Sequence, residues 1–402
     1  MKQGWVIKRL GDVCEILNGG TPKTGIPDYW DGNIKWITPK DMGKMVSKFV
    51  DETPRKITPL GLQKSSAKLI PSNSIILSTR APIGHLAINT SEMATNQGCR
   101  GIIPSRDIDT YYLYYFLGKS VELLNDLGTG ATFRELSTKA LSSVEIPLPP
   151  LPEQKRIVAI LDKAFATIAK AKVNAEQNLK NAKELFESYL QGVFENKGED
   201  WEEKTLGEIY DVRDGTHDSP KYQENGFPLI TSKNLKNGLL NYDKVKFISE
   251  QDYINICKRS KVDKGDILFA MIGTIGNPVV IKDDPDYAIK NVALFKVPEG
   301  QNSYFLKYFL DTKSTIDKMM SDAKGTTQKF VGLGYLRSFK ILLPPLKEQQ
   351  TIVKKLDALS AETKKLEAIY QQKIDNLEEL KKSILQKAFA GELMSEPLIE
   401  AD

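Results

Sequence analysis

The sequence predicts an α+β chain: two globular domains of mixed α/β structure joined by two long helices, the helices forming an intramolecular antiparallel coiled coil with pseudo-twofold symmetry. Three observations predict it. Residues 148–162 (LPPLPEQKRIVAILD) and 343–357 (LPPLKEQQTIVKKLD) are identical at ten of fifteen positions, at an offset of 195. After each of these stretches the composition turns to Ala, Leu, Glu, Lys and Gln, free of Gly and Pro over residues 153–191 and 347–390. Ahead of each lie about 150 residues in which short apolar runs alternate with turn residues and one or two helical patterns.

The repeat organises the rest of the chain. Its offset holds without a gap to the end of the following helix, where Leu190, Gln191 and Phe194 match Leu385, Gln386 and Phe389. Fainter echoes run through the preceding segments. Trp5, Leu10 and Gly11 answer to Trp201, Leu206 and Gly207; Ile37–Lys40 answers to Ile230–Lys233; Ser74–Gly84 answers to Asp266–Gly276; and Tyr112–Leu117 answers to Phe305–Leu310. The offset drifts between 192 and 196, as small loop insertions would produce. A period near 195 is far longer than a solenoid unit. The chain therefore divides into a first domain (1–150), a first long helix (151–196), a second domain (197–345), a second long helix (346–393) and a C-terminal tail (394–402).

Each long helix has its start signals. Pro152 suits a first-turn position, and Glu153 and Glu348 complement the positive end of the helix dipole. At ~1.5 Å per residue each helix spans roughly 65 Å. Apolar spacing alternates four and three: Ile157, Leu161, Ala164, Ile168, Ala171, Ala175, Asn178, Ala182, Leu185, Tyr189 in the first, and Ile352, Leu356, Leu359, Thr363, Leu366, Tyr370, Lys373, Leu377, Leu380, Ile384 in the second. This is a heptad seam, small residues on one helix facing large ones on the other.

Within the globular segments, Ser74–Ser78 and Asp266–Ala270 read as strands, and Tyr111–Leu117 and Tyr304–Leu310 as core helices. Candidate nucleic-acid contacts are polar side chains beside these strands: Thr38, Lys40, Thr79, Arg80, Asn96, Gln97 and Arg100 in the first half, and Thr231, Lys233, Asn234, Lys290 and Asn291 in the second. Asn and Gln pair bidentately with adenine, Arg and Lys with guanine. A Gly/Thr loop precedes the last strand of each half and carries Thr132 and Arg134 in the first, and Thr327, Gln328 and Lys329 in the second. Short hydroxyls, glycines and a cation suit a phosphate contact.

Composition excludes more than it identifies. Net charge is +4 and hydrophobic residues make up 41% of the chain, ordinary for a globular protein. The three cysteines, Cys14, Cys99 and Cys257, form neither a disulfide framework nor a metal cluster, which fits a reducing cytoplasm. No 18-residue apolar run points to a membrane. His85 and His217 stand outside any metal or triad pattern, and the sequence holds no phosphate-binding P-loop, dinucleotide fingerprint or Asn-Pro-Pro-Tyr-type tetrapeptide. Pro285-Asp286 followed by Asp311-Thr312-Lys313 has the loose spacing of a nuclease metal site, but Asp311 falls at the end of a helical pattern and the first half has no counterpart.

On Pro149-Pro150-Leu151, Glu153-Gln154 and Ile157, with Pro344-Pro345-Leu346, Glu348-Gln349 and Ile352, the chain resembles the specificity (S) subunit of Type I restriction–modification systems. The Gly/Thr loops and Ile-Thr-x-Lys stretches are weaker family features, and the resemblance covers the whole chain. It implies that each globular segment is a target-recognition domain for one half of a bipartite, asymmetric site in double-stranded DNA. The helices would set the gap, with half-sites about one duplex turn, roughly 34 Å, apart. The resemblance further implies two modification (methyltransferase) subunits that bind S-adenosylmethionine and methylate adenine, and motor-nuclease subunits that use ATP and magnesium. The chain itself would hold no cofactor and no catalytic residue. A self-sufficient nuclease or methyltransferase and a coiled-coil scaffold without a DNA role are the alternatives.

Overall fold

A computed structural model describes residues 4–130 and 134–393. The chain divides into two compact units, one of them assembled from both ends of the sequence. One holds the chain up to Ala175 together with the segment from Gln372 onward; the other is Glu176–Gln371. Each unit is thus one globular domain with part of both long helices.

In the first unit the strands are β1 (Val6–Arg9), β2 (Cys14–Asn18), β3 (Trp30–Ile37), β4 (Phe49–Val50), β5 (Arg55–Ile57), β6 (Ile75–Thr79), β7 (Ile83–Asn89), β8 (Ala94–Thr95), β9 (Cys99–Pro104) and β10 (Glu145–Leu148). They form a β1–β10 pair, a five-stranded sheet in the order β2-β9-β6-β7-β4 and a three-stranded sheet β5-β3-β8. In the second unit they are β11 (Glu202–Thr205), β12 (Asp211–Asp214), β13 (Phe227–Ile230), β14 (Leu235–Lys236), β15 (Leu239–Leu240), β16 (Lys246–Ile248), β17 (Ile267–Ala270), β18 (Gly276–Val280), β19 (Ala288–Ile289), β20 (Val292–Lys296) and β21 (Lys340–Leu343). Here the sheets are β11–β21, β12-β20-β17-β18, β16-β13-β19 and β14–β15. Strand for strand, the second unit repeats the first, except that a β14–β15 hairpin replaces the β4 edge.

The predicted central strands are β6 and β17. Every residue of each is buried, which explains their unbroken apolar runs. The aromatic helices are Thr110–Lys119 and Ser303–Leu310, capped by Asp109 and Asn302. Their aromatics are core: Tyr112 and Phe305 are fully buried, and Phe116 and Phe309 nearly so. Tyr112 and Phe116 pack on Phe389, while Phe305 and Phe309 pack on Phe194, the residue 195 positions earlier than Phe389.

The long helices run Leu151–Glu195 and Leu346–Ala390. Within the first unit Ile157 and Leu161 share a core with Ala388 and Phe389, and Lys172 pairs with Glu378 at 2.6 Å. Within the second, Leu190 shares a core with Val353 and Leu356. In the first unit rising numbers on one helix meet falling numbers on the other, so the segments there are antiparallel. The seam departs from the expected heptads in its later turns. Leu185, Tyr189, Leu366 and Leu380 are exposed, as are Asn178 and Lys373; Leu190 is buried, and Leu179, Phe186 and Ile374 are partly so. A helix of 3.6 residues per turn drifts about 20° per heptad from a strict 3.5 repeat, and an extra step of four brings the stripe back.

Candidate nucleic-acid interface

In the first unit most of the predicted contact residues gather on one rim of the five-stranded sheet. There β2 ends at Asn18 opposite Arg100, and β6 nears its end at Ser78, opposite Cys99. The turn after β2 folds back onto this rim, Gly20 N donating to Thr95 O at 2.8 Å. Gly19 permits the approach, since a Cβ there would lie 1.8 Å from Asn96 O. The Gly/Thr loop returns to the same rim: Thr129 and Glu135 exchange backbone hydrogen bonds of 3.0 and 2.8 Å, and Leu136 N donates to Thr79 O at 3.1 Å.

Much of the rim's charge is spent internally. Glu135 accepts from Arg80 at 2.6 Å and Arg100 at 3.4 Å, and the hydrogen bond from Arg80 is the main reason its carboxyl titrates below the usual range. Arg100 is buried and also donates to Thr138 Oγ1 and to the Gln97 and Cys99 carbonyls. Thr138 in turn donates to Asn18 Oδ1 at 2.6 Å. Thr79 is buried and gives its hydroxyl to Gly98 O. Thr38 is the N-cap of a short helix, locked to Asp41 by reciprocal bonds. Asn96 Oδ1 accepts from Gly98 N at 3.0 Å. Lys40 and Gln97 are exposed, Arg80 is 43% exposed, and Arg134, also exposed, reaches Asn125 O at 3.5 Å. Thr132 lies outside the described residues.

The second unit builds the same rim with other chemistry. There β12 ends at Asp214 opposite Ala293, and β17 ends at Ala270 opposite Val292. The following turn again folds back, Gly215 N donating to Val292 O and Thr216 N to Ile289 O, both at 3.0 Å. A Cβ on Gly215 would meet Ile289 O at 2.2 Å, as at Gly19. The Gly/Thr loop is closed by Lys324 and Phe330, and Gly273 N donates to Lys329 O at 2.8 Å. Thr327, Gln328 and Lys329 are exposed on it, with Lys329 Nζ on Met320 O. Thr231 and Asn234 form the cap equivalent to Thr38 and Asp41; Asn234 is buried and holds Asn241 O. Lys233 is exposed, Lys290 donates to Ser219, and Asn291 sits at φ 55°, a conformation Asn tolerates well.

Several rim residues carry no local sequence signal. Buried Asp214 binds His217 Nε2 at 2.8 Å and also takes Arg259, while His217 Nδ1 lies 2.8 Å from Asn291 Oδ1. Thr21, in the equivalent turn, donates to Gln97 Oε1. Asn18, Glu135 and Thr138 complete the set. The suspected nuclease carboxylates do not converge on this rim: Asp311 caps the Ser303–Leu310 helix and pairs with Lys307 at 3.0 Å. Among the described residues no group of three or more His, Cys, Asp or Glu could hold a metal ion, and no helix is long and apolar enough to cross a membrane.

The family profile described as the type I restriction modification DNA specificity domain matches this chain twice, over residues 2–181 and 198–378. The chain belongs to the type I DNA specificity family. It is 30% identical to the type I restriction enzyme MjaIX specificity subunit of Methanocaldococcus jannaschii, covering 98% of this chain and 94% of that protein. To the EcoKI specificity subunit of Escherichia coli K12 it is 25% identical, over 98% and 90%. Two solved structures share its fold. One, from work on complex assembly and conformational transition of the type I R-M system, has a TM-score of 0.77 at 22% identity, covering 98% of this chain and 99% of that one. The HsdS subunit of Thermoanaerobacter tengcongensis has 0.64 at 21%, covering 98% of each.

In this member of the specificity family the Glu-Gln motif at each helix start is a clip between helix and domain. Gln154 is fully buried; its Oε1 accepts from Asp109 N at 2.8 Å and its Nε2 donates to Asp107 O and Pro149 O at 2.9 and 2.8 Å. Gln349 repeats this with Asn302 N, Gln301 Oε1 and Pro344 O. Farther along, Tyr115 donates to Asp162 and Tyr308 to Asp357, again one pair per unit. Burial and then the hydrogen bond to Asp162 push the Tyr115 phenol well above its usual range.

Proposed function

We propose that this chain is the non-catalytic specificity subunit of a type I restriction–modification enzyme, reading a bipartite, asymmetric target in double-stranded DNA through its two domains. The observation that carries the reading is the double family match combined with a doubled rim: the same strand ends, glycine turn and Gly/Thr loop, furnished with different side chains in each unit. An identical scaffold with unlike polar groups suits two different half-site sequences, because base edges are distinguished by donor and acceptor pattern while phosphates are not. Lys40, Arg134, Lys233 and Lys329 are exposed cations for backbone contacts on such a rim. The recurring clips at Gln154 and Gln349 would hold each domain at a fixed angle on its helix, so that helix length sets the gap between half-sites.

Under this reading the chain docks two modification subunits, which bind S-adenosylmethionine and methylate adenine, and through them motor-nuclease subunits using ATP and magnesium, all in the cytoplasm. Binding of the chain, alone and with its modification subunit, to a duplex library is the test. The expected result is enrichment of one two-part sequence with a fixed gap, mainly in the complex. Methyl transfer or cleavage by the isolated chain would overturn the non-catalytic assignment, and absence of any enriched sequence in the complex would overturn the DNA reading.

A further inference from the structure

We infer that Gln97 with Thr21, and Asn291 with His217, are equivalent base-reading pairs, one for each half-site. This rests on the DNA-reading function proposed above and names the side chains that carry it out. The two pairs occupy one structural position. Gly19 and Gly215 make the same close turn, at an offset of 196, and each turn donates backbone hydrogen bonds to the loop that bears the carboxamide. Two residues beyond each glycine comes the partner: the Thr21 hydroxyl donates to Gln97 Oε1, and His217 Nδ1 meets Asn291 Oδ1 at 2.8 Å. Sequence alignment alone does not pair Gln97 with Asn291, because the first unit has one residue more between β8 and β9 than the second has between β19 and β20.

The chemistry at the position is the same and its support differs. In both pairs the amide oxygen faces its partner, and the amide nitrogen has no hydrogen-bond partner among the described residues. A carboxamide held by one oxygen lone pair keeps its N–H donors and its second lone pair, the set that pairs bidentately with adenine N7 and N6. Gln97 is exposed and Asn291 partly so, each on the rim where the strands end. Holding such a side chain in one rotamer before binding removes part of the ordering cost, which is what an orienting partner contributes. In the first unit that partner is a neutral hydroxyl. In the second it is the His217 ring, anchored by buried Asp214, itself paired with Arg259; because Asp214 and Asn291 Oδ1 both accept, this arrangement places a proton on each ring nitrogen. His217 and Thr21 are therefore positioning residues, and Asn291 and Gln97 the readers.

The test uses the full chain assembled with its modification subunits, with methylation scored on duplexes carrying every single-base substitution of the mapped target. Asn291→Ala and His217→Ala should lower discrimination roughly tenfold to a hundredfold, the range for one bidentate contact, at one base pair of one half-site. Gln97→Ala and Thr21→Val should do the same in the other half-site only. The isosteric Asn291→Asp and Gln97→Glu, which remove the amide donor, should alter preference at those same base pairs and decide the matter if an alanine variant fails to fold. Folded variants that discriminate like the parent at every position, or that lose affinity uniformly for all sequences, would overturn the assignment. A parent complex that reads no bipartite target would instead overturn the underlying function.

Discussion

Replacing Gln154 by Ala tests the clip between the first domain and its helix. The side chain satisfies one buried N–H, of Asp109, and two carbonyls, of Asp107 and Pro149. Truncation leaves all three without a partner at a fully buried position. An orphaned buried donor costs about 1–3 kcal/mol, and each lost carbonyl bond about 0.5–1.5 kcal/mol. Water entering the space left by the truncated side chain offsets part of this, so a net loss of about 3 kcal/mol is expected. Asp109 also caps the Thr110–Lys119 helix, so the damage reaches the core aromatics. For a unit of this size about 3 kcal/mol lowers the melting temperature by roughly 6–12 °C. Calorimetry of the full chain would follow the first unit's transition, with Gln349→Ala as the matched change in the second. Gln154→Glu keeps the shape but turns a donor into a charge facing two carbonyls, and should be at least as damaging. A loss below about 1 kcal/mol in both alanine variants would show that these glutamines do not clip domain to helix.

Thiol chemistry gives an independent check on burial. Desolvation pushes the Cys14 and Cys99 thiols up to about 12, while Cys257 is only partly buried, so mass spectrometry after alkylation of the native chain at pH 8 should find Cys257 modified well before the others. Because Glu135 titrates below its ordinary value in the folded chain, its stabilisation of the Gly/Thr loop is present above about 4.5 and is lost as pH falls through the lower folded value; protection of the Thr129 and Glu135 amides, measured against their intrinsic exchange rates, should fall there, and Glu135→Gln should abolish that pH response. Four residues inserted into the exposed stretch of the first long helix near Lys180 should lengthen it by about 6 Å and widen the tolerated gap by about two base pairs with both half-site sequences unchanged; altered base preferences would contradict the ruler.

The duplication was legible because helix and motif keep a constant offset, and it correctly placed β6, β17 and both aromatic helices. The helix seam was legible through Ala175 and again at Ala182, but it passed over Phe186 and Leu190, since a period read at 3.5 accumulates error against a helix turning at 3.6. Thr38 and Thr231 look like contact residues beside strands, yet each stands three residues before a capping partner, Asp41 and Asn234, a local signal that a search for N-caps finds. Arg100 shows the opposite limit: nothing in its neighbours along the chain reveals that Glu135 and Thr138 consume it. Thr21 and His217 could have been flagged by aligning the glycine turns at Gly19 and Gly215. Their partners, 76 and 74 residues away, become visible only when the sheet closes.

Under the proposed function one chain reads one two-part DNA site through two unlike copies of the same rim. Mapping methylated adenines across the source genome, with this gene intact and with it deleted, puts this to an experiment. Deletion should remove methylation from a single asymmetric motif of two short sequences with a fixed gap, leaving other motifs untouched. Loss of no motif, or of one continuous or symmetric motif, would contradict it.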